Sequence, residues 1–220
     1  MLHNLLLVAH IAVLGYWLGS ELVINSTFRY VCYSGGMPVA ERSRLMDHVM
    51  EVDQHVRYAL VLQFGLGLAL AMRLGWLPGG VAGAWAAGVF AVAWLALVEL
   101  THRRRHAPLG ARLAALDRGL RYGVMAGLVG VAVAGLAGLL ITPAWIAWKL
   151  LVFAGVMACG VGIRFALIEW FASWRALLEA GGGEAHEAAL RRGYWRATGI
   201  LIGLWVLIGV IVLLSLARPA

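Results

Sequence analysis

Two segments of the chain carry histidines and carboxylates at helical spacing. Glu99, His102 and His106 follow the order E-x₂-H-x₃-H, and His48, Glu51 and His55 follow H-x₂-E-x₃-H. Offsets of three and seven share one face of a helix, so each segment turns two imidazoles and a carboxylate the same way. Neutral imidazoles and carboxylates suit Zn, Mn or Fe, and a Glu-x-x-His pair facing a second carboxylate-bearing helix is the pattern of di-iron bundles. The same residues also suit a solvated polar cap. Asp47, Glu51 and Asp53 favour a helix N-terminus through the backbone dipole, and His102 with the arginines after it favours a C-terminus.

Four further polar residues interrupt apolar runs: His10, Glu21, Lys149 and Arg164. A charge at the centre of a bilayer costs about 2.5–3.5 kcal/mol on insertion scales, so such residues are usually paired or functional. His10 lies about a third of the way into the first run and Lys149 at similar depth in the fifth, so the two can meet. A neutral imidazole there can ligate haem iron or copper, and the lysine can pair with a propionate or another anion. The alternative is a histidine hydrogen-bonded to a neighbouring helix and a lysine that snorkels to the headgroups. Glu21 and Arg164 belong nearer the opposite surface, where a buried pair is expected, with Glu169 or Arg57 as further partners.

The elements that must position these groups are transmembrane helices. Of the 220 residues, 62% are hydrophobic and 13% charged, and the mean hydropathy is +0.84, far more apolar than a soluble domain of this size needs. Runs of about 20 apolar residues, enough to cross roughly 30 Å of hydrocarbon, fall near 4–24, 56–77, 79–98, 122–141, 144–170 and 198–217. The expected fold is all-α, a single polytopic domain over 1–220. Leu77-Pro78-Gly79-Gly80 forces the second and third helices into an antiparallel hairpin, and Thr142-Pro143 joins the fourth and fifth as tightly. That hairpin brings the start of the second helix to the end of the third, so Glu51 and His55 are expected to face Glu99 and His102.

Charge gives the orientation. Segment 25–54 carries Arg29, Arg42 and Arg44; segment 101–121 carries Arg103, Arg104, Arg105, Arg112, Arg118 and Arg121; segment 172–196 carries Arg175, Arg191, Arg192 and Arg196. The opposite connections hold only Arg73, with Lys149 just inside the fifth helix. The positive-inside rule therefore puts the long basic loops in the cytoplasm of a bacterial inner membrane and both termini outside. The net charge of +7 is mostly topology, and no aromatic or glycine signature of a nucleic-acid fold accompanies it. The first run lacks a basic n-region and a convincing cleavage site, so it reads as a retained helix. Cys32 and Cys159 belong at different depths, which disfavours a disulfide. Gly80, Ala84 and Gly88, Gly123 and Gly127, and Gly199 and Gly203 follow small-xxx-small spacing, which suits close packing within one bundle and is compatible with a homo-oligomer or a membrane-complex partner. Glu179-Ala-Gly-Gly-Gly-Glu184 reads as a flexible break before a short amphipathic segment that reaches Trp195.

The first helix reads His10-Ile-Ala-Val-Leu-Gly-Tyr-Trp17-Leu-Gly19, and the fifth opens Trp145-Ile-Ala-Trp148-Lys149-Leu-Leu. A histidine followed by Trp-x-Gly, then a later helix starting Trp-x-x-x-Lys-Leu, resembles the CopD-like superfamily of bacterial membrane proteins, which includes copper-resistance and copper-uptake proteins and the HemJ-like protoporphyrinogen oxidases. The resemblance covers the first, second and fifth helices. It implies that His10 is a haem or copper ligand and Lys149 a site residue. The second helix departs from it, with His55 and Arg57 where the HemJ-like proteins carry a lysine. Three function classes follow: a redox protein binding haem b, a transporter or handler of a transition metal such as Cu, Fe or Zn, and a structural or assembly subunit without a cofactor. His55 is a poor second haem ligand beside His10, because it begins the second helix about 15–20 Å lower by helix rise.

Overall fold

The computed structural model describes residues 1–105 and 107–217. His106, the third member of one triplet, lies outside them. The described residues form six helices: α1 (Leu2–Tyr33), α2 (Val39–Arg73), α3 (Gly80–Arg103), α4 (Pro108–Leu136), α5 (Ala144–Ala180) and α6 (Glu184–Ala217). All six are long and apolar enough to cross a membrane, and the fold is the expected all-α transmembrane bundle. Residues such as Val8 on α1 and Val89 and Val92 on α3 are about two-thirds exposed, a surface that only lipid would cover without penalty.

The helix limits differ from the apolar runs. Segments 25–54 and 172–196 are not long loops, because α1, α2, α5 and α6 each continue past the apolar stretch as amphipathic helix. The flexible break is confined to Gly181, Gly182 and Gly183, all with positive φ, after which the amphipathic segment and the sixth span form one helix. At the end of α5 the amides of Gly181 and Gly182 bond the carbonyls of Leu178 and Leu177, a cap that a residue with a Cβ would strain. Segment 101–121 likewise turns between Arg103 and Pro108, and Pro108 sits in the first turn of α4, where a missing N–H costs nothing. The Pro78 hairpin forms as expected. Gly79 and Gly80 take φ of 124° and 55°, values that favour glycine. At the other end α4 stops at Leu136, short of residue 141.

Cross-helix contacts fix the register. His10 meets Gln63 near one end of the α1–α2 pair and Arg42 meets the Val31 carbonyl near the other, so the two run antiparallel. Gly65 and Ala91, then Gln54 and the Val98 carbonyl, set α2 against α3. Trp94 joins α3 to Asp117 of α4, Gly135 of α4 abuts Ala147 of α5, and Gly162 and Gly193 let α6 approach α5. Thr198 then donates to Asn25 at 2.9 Å and Trp195 to Tyr33 at 2.8 Å, returning α6 to α1. The helices therefore close a ring in chain order.

Buried clusters fill the ring at successive levels. Near the short turns, Trp76 packs on Trp145 (ring centroids 4.8 Å apart), and Thr142 donates to the Trp76 carbonyl at 2.6 Å. In the middle, Trp17, Phe64, Trp94 and Phe153 make an aromatic plug. At the basic end, Phe28, Val31, Met46, Trp170, Trp174, Leu190 and Tyr194 form a core supplied by α1, α2, α5 and α6. Arg42 ties those four helices together there. It donates to the Val31 carbonyl at 3.1 Å and to both Glu187 oxygens at 2.6 and 3.0 Å, with its guanidinium 5.0 Å from the Trp174 ring centre.

Candidate functional site

His10 lies in the half of the bundle away from the basic end. Its Nε2 is 3.1 Å from the Gln63 side-chain nitrogen. An amide nitrogen only donates, so in this orientation Nε2 accepts and the neutral ring carries its hydrogen on Nδ1. That Nδ1 and the Gln63 oxygen are both buried without a hydrogen-bond partner. Gly67 makes room for the ring, since a Cβ there would sit 3.3 Å from His10 Cε1. The Lys149 charge bears on this imidazole, and its ammonium lies 5.5 Å from the Trp145 ring centre. The expected meeting of His10 and Lys149 is thus a shared neighbourhood, with Gln63 as the direct partner. Nothing in the sequence singled out Gln63, an uncharged residue inside an apolar run.

The two triplets do not close into one ligand set. Glu51 and His102 do meet across the α2–α3 hairpin, at 3.4 Å. Arg105 touches both, 3.2 Å from the Glu51 carboxylate and 2.8 Å from His102 Nε2, so a cation already lies against the imidazole and the carboxylate. His55 turns instead to α1, where its Nδ1 is 2.5 Å from the Tyr16 hydroxyl. Glu99 accepts hydrogen bonds from Tyr58 and Arg103. His48 is exposed. Among the described residues no three His, Cys, Asp or Glu side chains gather to hold a metal ion. The expectation that Glu51 and His55 face Glu99 and His102 holds only for Glu51 and His102. Tyr16 takes His55, because α1 packs on the face of α2 that presents it, and Tyr58, three residues further along α2, takes Glu99.

An internal cavity lies between the aromatic plug and the basic-end core. It has a volume of about 310 Å³ and is bounded by α1, α2, α4, α5 and α6. Its apolar wall includes Leu60, Val156, Met157 and Leu204, and its polar wall includes Glu21, Asp53, Arg57, Arg118, Arg121 and Arg164. Arg57 pairs with Asp53 at 2.8 Å and Arg121 with Asp117 at 3.0 Å. Both pairs are spaced i, i+4 on their own helices, so neither ties the cavity walls together. Among the described residues Arg118 and Arg164 form no ion pair, and the charges of Arg57, Arg118 and Arg121 act on Arg164 against that of Asp117 alone. One Arg121 nitrogen, Nη2, is buried without any partner.

Glu21 and Arg164 were expected as a buried pair. Both line the cavity, but Glu21 accepts from Trp17 at 3.2 Å and Glu169 pairs with Arg196 at the surface. The cavity therefore presents an excess of guanidinium groups beside an apolar wall. Such a lining can neutralise and hydrogen-bond a phosphate or carboxylate, bidentately where the geometry allows. The arginines had been visible in the sequence as topology signals. Their convergence was not, because Arg57, Arg118, Arg121 and Arg164 come from three helices.

Comparison of the chain with protein-family models, with curated proteins and with solved structures found no match. The chain is an integral membrane protein of six helices, and its site is defined by geometry alone.

Proposed function

We propose that this chain is a multi-pass protein of the bacterial inner membrane, with its basic end in the cytoplasm and both termini outside, that binds an anionic ligand in the arginine-lined cavity. The orientation rests on the arginines of the basic end. The ligand reading rests on one observation: Arg118 and Arg164 enter the cavity without ion pairs, beside an Arg121 nitrogen that nothing satisfies. Guanidiniums gathered beside an apolar wall repel one another, and an anion in the cavity would offset that charge. The test is equilibrium dialysis of purified protein in neutral detergent against radiolabelled inorganic phosphate. The expected result is saturable binding that falls at least tenfold in an Arg118→Gln, Arg164→Gln variant. Equal binding by both proteins would overturn the reading.

A second reading is a haem b or transition-metal protein, as the CopD-like resemblance implies, and the unpartnered Nδ1 of His10 favours it. The fit is incomplete. His10 offers one imidazole nitrogen with only the Gln63 amide beside it, whereas bound zinc or copper takes three or four ligands. The cavity arginines suit propionates, but no histidine lines that cavity. An absorption spectrum after expression with haem supply decides the haem form: a Soret band that shifts on reduction supports it, and none removes it. Metal analysis of wild type against a His48→Ala, His102→Ala variant decides the other. Equal content rejects the inner-surface ligands.

A further inference from the structure

The cavity is open on one side. Gly160, Arg164 and Ile168 are spaced by four along α5, so they form one stripe. All three both line the cavity and are exposed. Tyr122 of α4 does the same, at 48% exposure. The opening therefore lies between α4 and α5, flanked by Arg164 and Tyr122. Arg164 stands twenty residues from Ala144, the start of α5, about 30 Å by helix rise, which is the hydrocarbon thickness of a bilayer. Tyr122 opens the apolar run of α4, where amphipathic rings sit at membrane–water interfaces. The opening thus faces the bilayer at headgroup level.

Inside, the two wall chemistries are separated by depth. Leu60, Val156 and Leu204 belong to the central core beside the aromatic plug, whereas Arg118 and Arg121 lie toward the basic end of α4 and Arg57 stands one turn from Leu60 on its basic-end side. A ligand that fits this division has an apolar tail directed toward the plug and an anionic head among the guanidiniums.

We infer that the cavity holds an anionic phospholipid from the basic-end leaflet, entering between α4 and α5, with its phosphate between Arg118, Arg121 and Arg164. The inference rests on the anionic-ligand reading above and narrows it to a membrane-borne source. Free phosphate would need only the arginines. A lipid needs the lateral opening and the apolar wall as well.

The experiment is native mass spectrometry of the delipidated full chain, titrated with phosphatidylglycerol or with phosphatidylcholine of equal chain length. Binding of inorganic phosphate to the wild type is measured in parallel. Wild type should bind one phosphatidylglycerol at least tenfold more tightly than phosphatidylcholine. Arg118→Gln, Arg164→Gln should abolish the preference. Gly160→Phe places a ring at the opening, where a Cβ meets nothing within 4 Å, and should lower phosphatidylglycerol binding at least tenfold with every arginine retained. Phosphate binding without a preference between the two lipids would overturn the lipid inference and leave the anion reading standing. No binding of phosphate or of phosphatidylglycerol would overturn both, and wild-type lipid affinity in Gly160→Phe would overturn the route.

Discussion

Replacing Glu187 by Ala should be among the most destabilising single changes at the basic end. Arg42 has a side-chain exposure of 1% and Glu187 of 15%, so the pair is shielded from water and its carboxylate oxygens are 2.6 and 3.0 Å from the guanidinium. Removing one partner of a buried pair costs about 3–5 kcal/mol, chiefly because the other charge is left uncompensated. Arg42 would keep the Val31 carbonyl and the Trp174 face, which places the loss near the lower limit, about 3 kcal/mol. Arg42→Met should cost less, about 1–2 kcal/mol, because Glu187 is the more exposed partner and an apolar stem of similar reach fills the space. Combining Arg42→Met with Glu187→Ala should recover about 2 kcal/mol relative to the sum of the single losses, since neither charge is then stranded. Unfolding in mixed micelles at rising dodecyl sulfate fraction, followed by tryptophan fluorescence, reads all four proteins. Trp174 reports directly, being stacked on Trp170 with centroids 5.4 Å apart. A Glu187→Ala loss below about 0.5 kcal/mol, or strict additivity in the double variant, would refute the argument that this pair holds the four helices together.

The close helix approaches give further tests in the same assay. A Cβ at Gly65 would lie 2.4 Å from that of Ala91, so Gly65→Ala should cost about 1–3 kcal/mol as overpacking, and Ala91→Gly should rescue much of it. Gly193→Ala meets Trp170 Cδ1 at 2.8 Å and should shift the basic-end core by a similar amount, seen as altered near-ultraviolet circular dichroism. Asp117→Ala strands both the Trp94 indole N–H and the Arg121 guanidinium, with an expected loss of about 2 kcal/mol; a loss under about 0.5 kcal/mol would show that α3 and α4 do not depend on this carboxylate. Thr142→Val removes the threonine's hydrogen bond to the Trp76 carbonyl and should cost about 1 kcal/mol, with hydrogen exchange at the two short turns rising together.

Six membrane crossings, their antiparallel order and the tight Pro78 hairpin were legible because hydropathy and turn chemistry are local. Twenty apolar residues span the hydrocarbon whatever they pack against, and a Pro-Gly-Gly sequence supplies the backbone angles of a turn by itself. The continuation of α1, α2, α5 and α6 past the apolar runs was not legible from hydropathy, since an amphipathic helix outside the membrane has neither an apolar run nor a stop signal until Pro38 or the Gly181–Gly183 break. His10 and Lys149 were legible as expensive residues at matching depth. Gln63 was not, because an uncharged amide costs too little to stand out.

The histidine and carboxylate triplets show where local spacing stops being informative. Periodicity put each triplet on one helix face, but it said nothing about whether that face meets the other triplet, an arginine or a tyrosine. Tertiary packing decided it, giving Glu51 and His102 to Arg105, His55 to Tyr16 and Glu99 to Tyr58. The arginines show the converse. Singly, each marks a membrane boundary, which is a property of the sequence. Only the closing of the ring, with α6 returned to α1, turns Arg57, Arg118, Arg121 and Arg164 toward one cavity, because convergence depends on the rotation of several helices about their own axes and no residue sets that rotation alone.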